Sequence, residues 1–223
     1  MLSTRALQLA SPALPVGAYS YSQGLEWAIE SGAVTDSLSA RRWIEDHLRL
    51  IFAKYEAPVW ASAYLAWQTA DHESIRDINE RFIASRESSE PRAETLQVGF
   101  SYSAWCREVA PISAGQRDVL SALTRVCAPV AAALASCASG VSARDGLLAY
   151  VFGFAENQVM VLAKALPMGQ IASQKLLFTL GDSVNDSVET ALDLPESAWC
   201  SAAPLLAIAQ MNHETQYSRL FRS

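Results

Sequence analysis

Reactive chemistry is scarce in this chain. It has three histidines and four cysteines, and only 18% of its 223 residues are charged, which leaves little material for a metal centre or an acid–base pair. Cys106, Cys127, Cys137 and Cys200 are irregularly spaced and contain no C-x-x-C pair, a pattern that suits reduced, mostly buried thiols rather than a disulfide framework or a zinc knot. His47 falls on the apolar side of its segment, His72 sits in Asp-His-Glu at a helix start, and His213-Glu214 opens HETQY without the second histidine that H-E-x-x-H requires. No glycine-rich turn followed by Lys and Ser or Thr is present, which argues against nucleotide hydrolysis. SYSQG at Ser20 to Gly24 lacks the first glycine of a nucleophile elbow and no strand precedes it, so serine-hydrolase chemistry is disfavoured.

Other absences narrow the class further. A net charge of -6 and a pI near 5.1 provide no basic footprint, so no nucleic-acid partner is expected. The longest apolar runs, 128–138 and 147–155, fall short of the roughly 20 residues that span a bilayer, so no transmembrane helix and no membrane partner are expected. The first ten residues, MLSTRALQLA, hold one Arg but neither a sustained apolar core nor a small-residue cleavage site; no secretory signal is expected, and the protein is expected to be cytoplasmic. No Pro/Gly/Ser-rich linker divides the chain, and no window alternates apolar and polar residues with strand-forming composition.

What is present is apolar and helical. Hydrophobic residues make up 51% of the chain, with mean hydropathy +0.11. Trp43, Ile44, His47, Leu48, Ile51, Phe52 and Tyr55 recur at helical spacing opposite Arg42, Glu45, Asp46, Arg49 and Glu56, after a cap at Thr35, Asp36 or Ser37. Pro58 is expected to end or kink that helix, and its period resumes to about Ala70. Further helices are expected over about 71–85, from about Pro91 to before Pro111, over 114–123 and 129–139, from Ser142 or Asp145 to Pro167, after Met168, and from Pro204. Residues 147–166 are apolar nearly all round, which marks a central helix. The sum is an all-α, single-domain bundle of about nine or ten helices with no significant sheet, spanning 1–223, with a C-terminal tail at about 212–223.

Three stretches stand out from this background. In ASPALPVGAYSYSQGLEWAIESG, prolines and glycines alternate with Leu14, Val16, Tyr19 and Tyr21, which predicts a rigid segment with one side buried; Gly24 is placed to admit a neighbouring segment. Arg86, Glu87, Glu90, Arg92 and Glu94 form a mixed charge cluster that reads as a solvated helix entrance. The tail, QYSRLFRS, carries Tyr217, Arg219, Leu220, Phe221 and Arg222, residue types enriched in interface anchors but equally able to pack on their own domain. Lys164, at the end of an apolar helix, reads either as a catalytic lysine or as a last-turn lysine that suits the helix dipole.

LASPALPVGAYSYSQGLEWAIESG, SRESSEPRAETLQVG, KALPMGQIASQKLL and HETQYSRLFRS, in that order and covering nearly the whole chain, strongly resemble the urease accessory protein UreF family. The resemblance implies an all-α, dimerising, non-enzymatic scaffold without a cofactor or a metal site of its own. Such a scaffold bridges UreD (called UreH in some organisms) and the GTPase UreG, docks on the urease apoprotein, and modulates UreG GTPase-dependent nickel delivery. It also implies that the tail, through Tyr217, Arg219, Leu220, Phe221 and Arg222, binds UreD. Glu26 in GLEW and Lys164 in KALP would belong to a surface that meets UreG, with Glu26 exposed and Leu14, Val16 and Leu25 as its buried support. The rival reading is a small all-α enzyme with a pocket built from Glu26, Lys164 and His213.

Overall fold

The computed structural model describes residues 3–222; Met1, Leu2 and Ser223, which the expected domain and tail include, lie outside the described residues. Among the described residues the chain is all-α with no strand. Its α-helices are α1 Thr4–Leu9, α2 Leu25–Glu30, α3 Ser37–His47, α4 Ala57–Thr69, α5 His72–Ala84, α6 Ser89–Glu108, α7 Ala114–Ala122, α8 Ala128–Ala138, α9 Ala143–Ala165, α10 Gln170–Asp193 and α11 Pro204–Glu214. α1 has no counterpart among the expected helices. Asp36 and Ser142 are the caps of α3 and α9; each side chain accepts from a backbone N–H three residues on.

Pro58 neither ends nor breaks its helix. α3 continues through a π-helical stretch, Leu48–Glu56, directly into α4, where Pro58 occupies the first turn. A first-turn proline owes no internal bond, and the wide turn before it absorbs the mismatch. In an α-helical ladder the proline would have left the carbonyl of Lys54 without a donor; that carbonyl accepts from the backbone N–H of Cys200 at 3.0 Å. The same long rod thus anchors the connection between α10 and α11.

The core lies around α8, whose small side chains let α4 and α6 pack closely on it. A Cβ added at Gly99 of α6 would lie 2.0 Å from the carbonyl oxygen of Val126, so α6 touches backbone there. The entrance to α8 is held by side chains: Asn79 Oδ1 accepts from Cys127 N–H at 2.9 Å, and Thr95 Oγ1 accepts from Ala128 N–H at 3.0 Å.

α9 packs on α10, α4, α8 and α1, as expected of a central helix. By length and composition alone it could cross a membrane, but 61% of its most apolar window is buried in the bundle, as in a core helix. All four cysteines are free: Cys106 and Cys127 are buried and Cys200 is exposed. Burial pushes the thiols of Cys106 and Cys127 up to about 12.

Candidate functional site: the C-terminal latch

Glu26 begins a network that joins the two ends of the chain. Gly24 precedes it with φ +84, and a Cβ there would lie 3.2 Å from Cβ of Ala209, so α2 and α11 approach as the sequence suggests. Leu14, Val16 and Leu25 are buried beneath, as expected. Glu26 itself is not exposed: only 6% of its surface is accessible. The expectation that it is exposed is corrected, because the chain's own C-terminus covers it. Oε1 accepts from the Leu220 N–H at 2.6 Å, while Oε2 accepts from the Phe221 N–H at 3.1 Å and lies 3.0 Å from Nε2 of His213.

The other face of the His213 ring meets α6. Nδ1 is 2.7 Å from Oε2 of Glu90, whose Oε1 accepts from Arg219 at 2.5 Å. Glu90 therefore belongs to a partly buried ion network rather than to a fully solvated helix entrance. Next to His213, Glu214 accepts from the backbone N–H of Glu90 at 2.9 Å, in the first turn of α6. That bond holds the Glu214 carboxyl below the usual carboxylate range.

The tail is thereby divided into two faces. Phe221 is buried, and the Nζ of Lys164, in the last turn of α9, stands 5.2 Å from its ring centroid. The Arg222 N–H donates to the Ser20 carbonyl at 2.9 Å. Burial raises the Tyr21 hydroxyl, opposed by its hydrogen bond with Arg222. Tyr217 and Leu220 point away, Tyr217 fully exposed and Leu220 67% exposed, and α11 leaves Leu205, Ile208 and Met211 exposed as well. So Arg219, Phe221 and Arg222 attach the tail, while Tyr217 and Leu220 are presented by it.

Chains of matching sequence decide which family this geometry belongs to. The UreF family model matches residues 34–181. A urease accessory protein UreF of Azoarcus sp. (strain BH72) is 50% identical over 224 residues, covering 98% of this chain and 94% of the relative. Those of Cupriavidus metallidurans and Dechloromonas aromatica are each 46% identical, covering 97% and 98% of this chain and 96% of each relative. This chain belongs to the UreF family. The family is one of urease accessory proteins, not enzymes.

That assignment agrees with the fate of the rival pocket. A cavity of about 130 Å³ opens between the segment before α2, the π-helical stretch, α6 and α9, and its lining includes His47, Glu56, Arg86 and Tyr150 but none of Glu26, Lys164 or His213. Burial raises the Glu56 carboxyl against the opposing pull of Arg86 at 3.7 Å. Glu26 and His213 do meet, but inside a closed network, and Lys164 lies over Phe221. The three do not converge on a concave site. Among the described residues no group of three or more His, Cys, Asp or Glu is arranged to hold a metal ion.

In a UreF fold the latch residues missing from the sequence reading are Glu90 and His213 in their structural roles. The one local signal is the concentration of acidic side chains just ahead of an apolar helix, where a carboxylate serves either solvent or an incoming donor. His213 is visible in the sequence as half of a failed metal motif and as a member of the rival pocket with Glu26 and Lys164, not as the centre of a latch.

Proposed function

We propose that this chain is the adaptor of urease maturation: it binds UreD (UreH in some organisms) through its C-terminal segment, recruits the GTPase UreG, and brings both to the urease apoprotein so that nickel, the cargo, reaches the metallocentre. It works in the cytoplasm and as a homodimer. Its free energy goes into interfaces and not into a transition state. The observation that carries this reading is the docked tail, which spends Glu26, Arg219 and Phe221 on its own attachment and leaves Tyr217 and Leu220 facing outward. Exposed aromatic and aliphatic side chains held on a fixed backbone are what an interface anchor requires, because little ordering entropy is left to lose on binding.

Glu26 and Lys164 then act through the tail. Lys164 steadies the Phe221 ring, and Glu26 holds the backbone on either side of it. Their loss impairs urease activation by releasing the UreD-binding segment, with any effect on UreG following from that.

Deleting 217–223 tests the reading. The expected result is loss of co-purification with UreD and of urease activation in cells, with the helical circular-dichroism spectrum retained. Undiminished capture of UreD by the truncated chain refutes the role of the tail.

A further inference from the structure

His213 is wholly buried with a carboxylate oxygen at each ring nitrogen, 3.0 Å from Glu26 and 2.7 Å from Glu90. An ionised carboxylate only accepts hydrogen bonds, and a neutral imidazole carries one N–H. The carboxylate oxygens are also engaged elsewhere: Glu26 Oε1 with Leu220 N–H, Glu26 Oε2 with Phe221 N–H, and Glu90 Oε1 with Arg219. A neutral ring would set a nitrogen lone pair against an oxygen lone pair at one of the two contacts, in a place water does not reach. It would also leave two carboxylates facing the single charge of Arg219.

We infer that His213 is an imidazolium when the C-terminal segment is docked, and that this proton fastens α11 and the tail to α2 and α6. With it, the cluster balances: Glu26 and Glu90 against His213 and Arg219, each ring N–H aimed at its own acceptor. Among the described residues, the neighbouring charges on the packed elements have other partners. On α6 the next carboxylate, Glu94, is engaged by Gln23 at 2.5 Å; Glu214 is committed to the Glu90 N–H; and the Lys164 ammonium lies over the Phe221 ring.

The fastening rests on the adaptor reading only for its biological use. The proton itself is a property of the isolated chain.

The test uses the full chain without partners. Nitrogen-15 spectra of the histidine rings at about pH 7 are expected to show both nitrogens of His213 protonated. Exchange protection of the Leu220 and Phe221 amides is expected to fall in His213→Gln, which cannot carry the ring's charge or donate to both carboxylates. In Glu90→Gln the side-chain amide can itself donate to the ring, so one ring nitrogen should lose its proton; if His213→Gln does not fold, Glu90→Gln decides alone. One unprotonated ring nitrogen in the wild type at pH 7, or wild-type amide protection in a folded His213→Gln, overturns the inference. Loss of UreD binding has no bearing on these readouts, so a failure of the adaptor reading is seen separately.

Discussion

Replacing Glu26 by Gln should free the C-terminal segment while leaving the bundle folded. The wild-type carboxylate serves the N–H groups of Leu220 and Phe221 and the ring of His213, at 2.6, 3.1 and 3.0 Å. Glutamine has nearly the same shape but only one acceptor oxygen, and its NH2 group must face at least one of those donors. Losing a charge-assisted bond costs about 1.5–3 kcal/mol, and an orphaned buried donor about 1–3. Taken together, a docking loss of about 3 kcal/mol is expected, a shift of about a hundredfold. The bonds at stake tie α2 to α11 and the tail and lie outside the α4–α8–α9 core, so the change should appear locally. Hydrogen exchange read by mass spectrometry across 204–222 should show greatly increased uptake in E26Q, with the far-UV circular-dichroism spectrum unchanged. Wild-type protection of that segment would refute the latch. Cooperative unfolding of the whole chain would show that Glu26 supports the core itself.

Two further perturbations probe the scaffold. Gly99→Ala places a Cβ 2.0 Å from the Val126 carbonyl oxygen and 2.7 Å from the Cys127 carbonyl carbon, both backbone, so destabilisation of about 3 kcal/mol is expected despite alanine's better helix propensity; an unchanged urea midpoint would contradict the close approach of α6. His47 is pushed down to about 3 by burial, with a lesser push from Arg86. Below its ordinary value of about 6.5 the unfolded chain takes up a proton that the folded chain refuses, so stability falls as pH drops from about 6.5 towards 3, by up to about 1.4 kcal/mol per unit. Urea titrations across that range should show a shallower fall in His47→Gln than in the wild type. Equal slopes would place His47 in contact with water.

The parts of the fold legible in the sequence are those that a local pattern encodes. The stripe on α3, the apolar girth of α9, the small residues of α8 and the caps at Asp36 and Ser142 each reflect contacts between a helix and its immediate surroundings. The π-helical stretch was not legible, because Pro58 signals a missing donor without saying that Cys200 will supply another. Glu26 looked exposed for a related reason. Periodicity marks it as polar on a short helix, while its burial depends on His213, 187 positions away, and on the tail beyond it. The tail's composition was equally compatible with packing on its own domain and with binding a partner. The structure divides it: Phe221 packs inward and Leu220 faces outward.

The central claim is that the latch presents Tyr217 and Leu220 to UreD. Replacing both by Ala keeps the backbone amide of residue 220, the Phe221 anchor and the Arg219–Glu90 pair, so the tail should stay docked. The most direct measurement is the affinity of the double variant for UreD, alongside amide protection of 204–222. The account predicts a fall in affinity of about a hundredfold or more with protection at wild-type level. Undiminished affinity with the tail still docked would contradict it.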